Sequence, residues 1–220
     1  MKILVVGNGG REHALAWRLS KDRCAPEIWC APGNAGTASV GTNVDIKADD
    51  IDGLAAWAAE KRPDLTVVGP EATLCRGIVD RFAEAGLRVF GPSRSAAAIE
   101  GDKAFAKEIM DAAGVPTAES AVFTERTAAL DYVHAKGMPL VVKACGLAAG
   151  KGVTVCDSQR DAEAAIKAAM VDRIFGDAGS TVLIEECLQG EEASILALVD
   201  GEQAVMLASS QDHKRAFNND

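Results

Sequence analysis

The sequence lacks a long apolar run, a closely spaced cysteine pair and an excess of basic residues. Its N-terminal apolar run covers only residues 3–6, which is too short for a signal peptide, and no run approaches the roughly 18 residues of a membrane span. The six cysteines include no C-x-x-C pair, which excludes the common zinc and redox motifs. A net charge of −9 argues against non-specific binding to nucleic acid. We therefore expect a soluble, cytoplasmic protein with free thiols and with no nucleic-acid or membrane partner.

The first hundred residues alternate between apolar strands and helical stretches. Strands that are apolar throughout and separated by helices predict a Rossmann-like α/β domain, in which helices cover both faces of a parallel sheet. The predicted strands cover residues 2–7, 27–31, 44–46, 65–69 and 88–91, and the predicted helices cover residues 12–20, 50–61 and 73–85.

The second half has more closely spaced strands, which indicate hairpins and an α+β arrangement. This change of rhythm places a domain boundary near residue 100. A largely polar stretch follows the last predicted strand, so we expect the C-terminal sheet to be incomplete. The predicted strands cover residues 140–144, 153–156, 181–186, 194–199 and 203–208, and the predicted helices cover residues 102–113, 125–136 and 159–172.

A glycine-rich turn, GNGGREH at residues 7–13, follows the first predicted strand. Backbone N–H groups at the start of a helix attract an anion, and Arg11 adds a charged donor, so the turn predicts a phosphate or ribose-phosphate site. An NAD-dependent oxidoreductase is disfavoured, because Glu12 breaks the G-x-G-x-x-G spacing and the second strand ends at Ala31 without an acidic residue. A plain tight turn is the alternative.

A second glycine-rich segment, KACGLAAGKGV at residues 143–153, lies between two predicted strands. It is not a P-loop, which needs a strand followed by a helix and a Ser or Thr after its lysine. A thin glycine-rich hairpin can instead close over nucleotide phosphates and exclude water. Lys143, at the end of an apolar strand, favours such an anionic ligand over the alternative of a flexible surface hairpin.

Three further segments carry charged groups in less specific patterns. Residues 185–192 lie where one predicted strand ends and another follows, and they form either a hinge that reads an adenine edge or a solvated acidic turn. Lys103 lies near the start of a helix, where a lone lysine is usually exposed. In the segment SQDHKR at residues 210–215, Lys214 and Arg215 favour contact with an anion or a substrate. No Ser/His/Asp or Cys/His nucleophile set is visible.

Eight segments, in this order, resemble the glycinamide ribonucleotide synthetase family of the ATP-grasp superfamily, and the chain looks like the N-terminal half of its members. The resemblance runs over the whole chain without an evident gap. Each motif alone is weak, whereas eight in register are specific. The segments are GNGGREHA at 7–14, APGNAGT at 31–37, VGPEA at 68–72, GPS at 91–93, GDKAF at 101–105, KACGLAAGKGV at 143–153, EECLQGEEAS at 185–194 and SQDHKR at 210–215.

The resemblance implies an ATP-dependent carbon–nitrogen ligase of purine biosynthesis. ATP would phosphorylate the carboxylate of glycine, and the nitrogen of 5-phosphoribosylamine would attack the glycyl phosphate, giving glycinamide ribonucleotide, ADP and phosphate. No protein nucleophile is needed, because positioning and neutralisation of charge at the γ-phosphate suffice. The implied architecture is an N-terminal domain at 1–101 and an ATP-grasp region at 102–220, with a flap or lid subdomain at 118–187.

The resemblance also implies two groups of binding residues. Lys103 and Lys143 match the family's two phosphate-binding lysines, and residues 146–152 match its flap. The implied ATP-binding residues are Lys103, Lys143, Gly146, Gly150, Lys151, Gly152, Glu185, Glu186, Leu188 and Glu192. The implied substrate-binding residues are Gly9, Gly10, Arg11, Asn34, Asp212, Lys214 and Arg215.

The sequence departs from the family pattern at its end. Family members run to about twice this length, and their ligands for Mg²⁺ or Mn²⁺ are expected beyond Asp220. The 220-residue chain alone is therefore expected to be inactive or nearly so, because charge at the γ-phosphate would lack its main stabiliser. Two other functions stay open at this point: a nucleotide-binding fragment without catalysis, and a related carboxylate–amine ligase with another acceptor.

Overall fold

The computed structural model describes residues 1–24, 26–148 and 150–212. It divides into two compact units, Met1–Glu186 and Cys187–Asp220. Within the described residues, the first unit contains a five-stranded and a four-stranded sheet, and the second contains a two-stranded one. Among all the described residues, no helix is both long enough and apolar enough to cross a bilayer. The boundary predicted near residue 101 stays a prediction.

The N-terminal half forms the parallel sheet that its apolar strands predict. The strands are β1 (Lys2–Gly7), β2 (Glu27–Pro32), β3 (Thr42–Asn43), β4 (Leu65–Val68) and β5 (Val89–Phe90). All four pairings between them are parallel, and their order in the sheet is β3-β2-β1-β4-β5. The central strand, β1, is the most buried of the five.

Helices cover both faces of this sheet, as a parallel sheet requires. On one face, Leu54 and Phe82 pack with Leu4, and on the other, Ala16 packs with Ile3. Successive residues of β1 thus enter different cores, which explains why the whole strand is apolar. The helices are α1 (Gly10–Ser20), α2 (Ile51–Lys61), α3 (Glu71–Cys75), α4 (Ile78–Glu84) and α5 (Arg94–Gly101).

The rest of the first unit is an α+β arrangement around a four-stranded antiparallel sheet. The order of its strands is β6 (Ser120–Phe123), β9 (Val182–Glu186), β7 (Leu140–Ala144) and β8 (Val153–Cys156). Two helices pack on one face of this sheet, where Val133 and Ile166 contact Val142. Side chains alternate along a strand, so Lys143 and Glu185 lie on the opposite face. The helices are α6 (Lys103–Ala113), α7 (Arg126–Lys136) and α8 (Gln159–Met170).

The second unit is a short antiparallel hairpin of β10 (Ala197–Val199) and β11 (Ala204–Met206). Asp200 closes its turn by accepting hydrogen bonds from the backbone N–H groups of Glu202 and Gln203, at 3.0 and 2.8 Å. These hydrogen bonds hold the pKa of Asp200 below its usual value. The hairpin thus has a defined local turn.

The predicted fold class is confirmed, but several predicted elements are wrong in detail. The helix predicted at 73–85 is two helices, because Gly77 adopts a left-handed conformation with φ 88° between them. The strand predicted at 44–46 is replaced by Thr42–Asn43. The hairpin that the close spacing of the strands at 181–186 and 194–199 indicates does not form, because β9 pairs with β6 and β7, whereas β10 pairs with β11. β6 and α5 were not predicted from the sequence.

Candidate functional site

The glycine-rich turn after β1 is shaped by the buried carboxylate of Glu12. Glu12 is 5% exposed, and its Oε2 accepts a hydrogen bond from the backbone N–H of Gly9 at 2.6 Å, which caps the start of α1. Gly7 and Gly69 lie against the same side chain, so a Cβ at either position would collide with it. Glu12 therefore holds the turn after β1 against the loop that follows β4.

Asn34 supports the same turn from the next loop. Its amide group donates hydrogen bonds to the carbonyl oxygens of Asn8 and Gly9, at 2.9 and 3.2 Å. Its Oδ1 accepts from the backbone N–H of Thr37 at 2.9 Å. The structure thus gives Asn34, predicted to bind substrate, a positioning role: its side chain holds the turn that carries the predicted anion site.

A cleft of about 230 Å³ opens at the N-terminus of α1. Arg11 is largely exposed there, and its Nη1 lies 3.7 Å from Oε2 of Glu71, a pair too solvated to contribute much stability. Glu71 was not predicted as a site residue, although it belongs to the VGPEA segment that carries the family resemblance. The cleft combines a helix N-terminus with one cation, Arg11, and two carboxylates, of which Glu12 is buried and Glu71 is exposed. This set suits an anionic ligand that also carries hydroxyl or amine donors. Its lining residues are Asn8, Gly9, Gly10, Arg11, Glu12, Pro70 and Glu71.

Lys103 lies at the base of the glycine-rich hairpin between β7 and β8. It is the first residue of α6, which Asp102 caps by accepting hydrogen bonds from the backbone N–H groups of Ala104 and Phe105. Its own backbone N–H donates to the carbonyl of Cys145 at 2.9 Å, and its Nζ donates to the carbonyl of Gly146 at 3.2 Å. The fold thus brings this lysine from the helix to the hairpin.

The second predicted lysine, Lys143, forms an ion pair with Glu185 on the neighbouring strand β9. Oε2 of Glu185 lies 3.1 Å from Nζ of a third charged residue, Lys107 of α6. Lys107 and Glu185 are both buried, whereas the Lys143 side chain remains 25% exposed. Lys143 and Glu185 were predicted as site residues from the sequence, whereas Lys107 was not.

The glycine-rich segment forms a hairpin, as its sequence predicts. The backbone N–H of Ala144 donates to the carbonyl of Gly152 at 2.8 Å, and the N–H of Lys151 donates to the carbonyl of Ala148 at 2.9 Å. A Cβ at Gly152 would approach the Cβ of Ala148 to 2.7 Å, so glycine is required for the two arms to lie this close. Lys151 is exposed, and Gly150 has a positive φ of 75°.

The structure gives fewer contacts for the remaining residues that were predicted to bind ATP or substrate. Glu186, at the end of β9, accepts a hydrogen bond from the backbone N–H of Glu119 at 3.0 Å, which ties β9 to the start of β6. Three predicted residues of the second unit, Leu188, Glu192 and Asp212, are exposed. Lys214 and Arg215 lie outside the described residues.

Cys145 lines a second cleft of about 200 Å³ beside the base of the hairpin. Burial raises the pKa of its thiol to about 11, so about one molecule in a thousand would carry the reactive thiolate at pH 8.

We expect iodoacetamide at pH 8 to label the exposed Cys24 of the native protein and to leave Cys145 unmodified, as peptide mass spectrometry would measure. Urea-unfolded protein, in which both thiols react, is the control. Equal labelling of both cysteines in native protein would show that the hairpin base opens readily.

The described residues include no group of three or more histidine, cysteine, aspartate or glutamate side chains arranged to hold a metal ion.

Two family models match consecutive parts of the chain. Residues 1–100 match the family model described as phosphoribosylglycinamide synthetase, N domain. Residues 101–220 match phosphoribosylglycinamide synthetase, ATP-grasp (A) domain. Together, the two matches account for the whole chain.

Individual relatives agree with this result. Phosphoribosylamine–glycine ligases from Xanthomonas axonopodis pv. citri and Haemophilus influenzae are 55% and 52% identical over 222 residues, and each alignment covers 100% of this chain and 52% of the relative. The chain thus spans about half the length of these relatives.

Solved structures give the same family and a wider fold group. The crystal structure of a phosphoribosylamine–glycine ligase from Thermotoga maritima superposes with a TM-score of 0.83 at 30% identity, covering 98% of this chain and 51% of that one. A biotin carboxylase domain from Hydrogenobacter thermophilus superposes with a TM-score of 0.73 at 20% identity, and the match covers 94% of this chain and 49% of that one. At this identity, the likeness shows a shared fold alone. By sequence and by fold, the chain belongs to the phosphoribosylglycinamide synthetase family.

Proposed function

We propose that this chain belongs to a ligase that joins glycine to 5-phosphoribosylamine at the expense of ATP in purine biosynthesis. The observation that carries the proposal is the position of two lysines beside the glycine-rich hairpin, in a chain of this family. Lys103 donates to the carbonyl of Gly146 in the hairpin, and Lys143 lies on the strand that leads into it. The γ-phosphoryl group of ATP passes to a carboxylate oxygen of glycine, which forms glycyl phosphate and releases ADP. The amine nitrogen then attacks the carbonyl carbon, phosphate leaves, and the nitrogen loses a proton.

The residues of the first unit act by position and charge. The ammonium groups of Lys103 and Lys143 oppose the negative charge of the nucleotide phosphates, and the hairpin at 146–152 offers backbone N–H groups and excludes water when it closes. Glu185 and Glu186, at the end of β9, line the adenine position. Leu188 and Glu192 complete the adenine and ribose contacts in this proposal.

The cleft at the start of α1 takes the phosphate of 5-phosphoribosylamine. The backbone N–H of Gly10 and the guanidinium of Arg11 supply donors for it, while Gly9, whose own N–H donates to Glu12, shapes the turn that lines the cleft. We place Asp212, Lys214 and Arg215 near the substrate amine and carboxylate, as the family resemblance implies. Mg²⁺ or Mn²⁺ accompanies ATP in this proposal, and the described residues offer no cluster that would hold the ion.

We place the reaction in the cytoplasm. All six cysteines of the chain are free thiols, which is typical of a reducing compartment. The net charge of −9 favours small-molecule substrates over nucleic acid as partners.

The test is ADP release by protein expressed from its complete reading frame. We expect release that requires ATP, glycine and 5-phosphoribosylamine together, since the glycyl phosphate is consumed only when the amine is present. ATP binding without release would favour a nucleotide-binding role without catalysis. Release that needs a different amine would indicate a carboxylate–amine ligase with another acceptor, and the absence of ATP binding would refute the proposal.

A further inference from the structure

Lys107 is a buried lysine whose ammonium group has three oxygen partners, two through hydrogen bonds and one through an ion pair. Its Nζ donates to Oγ1 of Thr117 at 2.8 Å and to the carbonyl oxygen of Ala118 at 2.8 Å, and it lies 3.1 Å from Oε2 of Glu185. An ammonium group that is 90% buried is costly unless it is paired and hydrogen-bonded, and this one is both. The orientation of its head group is therefore fixed by α6, by the following segment and by β9.

Glu185 is shared between two ammonium groups, one at each carboxylate oxygen. Lys107 contacts Oε2, and Lys143 contacts Oε1. One negative and two positive charges give this three-residue cluster a net charge of +1. The Glu185 and Lys107 side chains are each 10% exposed, whereas Lys143 is 25% exposed, so Lys143 is the member that a ligand reaches most easily.

Removing Lys107 would change what Lys143 can do. A buried carboxylate that loses one partner draws the remaining cation more strongly, because the low local dielectric strengthens that attraction. Lys143 would then be neutralised by Glu185, and the cluster would fall from +1 to zero. A ligand phosphate would meet a neutral pair in place of an available ammonium group.

We infer that Lys107 is a positioning residue of the nucleotide site, which occupies one oxygen of Glu185 and thereby leaves the charge of Lys143 available to a nucleotide phosphate. This inference rests on the proposed function, because it takes the phosphates of ATP or ADP as the partners of Lys143. The alternative is that Lys107 only ties α6 to β9. The two roles differ in their effect on phosphate affinity.

The experiment compares the dissociation constants of ADP and adenosine by calorimetry or competition, using protein from the complete reading frame. The ratio of the adenosine constant to the ADP constant isolates the contribution of the phosphates. We expect K107M to lower this ratio about tenfold, because the cluster loses one unit of charge. In the double variant K107M/E185Q no carboxylate draws Lys143 and the net charge returns to +1, so the ratio should recover most of that loss.

The matched control is K167M, which removes a lysine from an exposed pair with Asp172. It should leave the ratio unchanged. Lys107→Gln keeps an amide donor for Thr117 or Ala118 and gives the same comparison if K107M does not fold. If K107M and the double variant unfold at lower temperature but both keep the parent ratio, Lys107 is only a structural tie and the inference is wrong. A parent protein that binds no ADP would instead refute the proposed function.

Discussion

Replacing Lys143 by methionine is expected to lower kcat/KM for ATP by about a hundredfold in the ADP-release assay, the magnitude typical of losing one preorganised charged donor. Lys143 lies on β7 opposite Val153 of β8 and Leu183 of β9, so two neighbouring strands fix its backbone. Its ammonium group is the more exposed of the two that contact Glu185. Methionine keeps the length of the side chain and removes the charge.

The fold should survive this change. Glu185 keeps Lys107 as an ion-pair partner at 3.1 Å, so the substitution leaves no buried charge unpaired. The backbone pairing of β7 does not depend on the side chain. We therefore expect the loss in kcat/KM with little change in the midpoint of thermal unfolding.

K167M is the control, because it also removes one lysine from an ion pair with a carboxylate. Nζ of Lys167 lies 2.6 Å from Asp172 at an exposed position on α8. Its loss should change kcat/KM less than about twofold, since exposed pairs contribute little. A folded K143M protein with the kcat/KM of the parent would remove Lys143 from the phosphate site and withdraw the main support for the proposed function.

The sheets were predictable from the sequence wherever burial dictates composition. β1 is buried on both faces, and its unbroken apolar run at residues 3–6 showed this directly. β6 was missed because it is four residues long and only partly buried, which leaves no clear alternation of apolar and polar residues. The break at Gly77 was missed because the helical spacing of apolar residues continues across it.

The candidate site was predictable in part, because the glycine-rich turns and Lys143 carry local signals. Lys107 carries none: it is a lysine on a helix, and its partners come from distant segments that only the fold brings together. In the sequence, Glu12 is visible only as the residue that breaks the G-x-G-x-x-G spacing. Its burial against Gly7 and Gly69 depends on how the turn after β1 meets the loop after β4. Interactions between distant segments set both roles.

Replacing Gly7 by alanine is expected to lower the free energy of unfolding by about 2–4 kcal/mol, through backbone strain combined with a steric clash. Gly7 has φ 129°, a conformation that residues with a Cβ rarely adopt. A Cβ there would lie 2.5 Å from Cγ of Glu12. Glu12 cannot simply withdraw, because it is buried, caps Gly9 and also lies against Gly69.

Thermal unfolding measures this effect, and a loss of this size should lower the midpoint by about 10 °C in a chain of this length. Gly10→Ala is the matched control in the same turn, since a Cβ at the first residue of α1 meets nothing within 4 Å. It should leave the midpoint unchanged or raise it slightly, because alanine favours the helix more than glycine does. The double variant G7A/E12A separates strain from clash. If Glu12 is the obstacle, the double variant will lose less stability than the sum of the two single variants, whereas additive losses would show that the backbone conformation alone requires glycine at position 7.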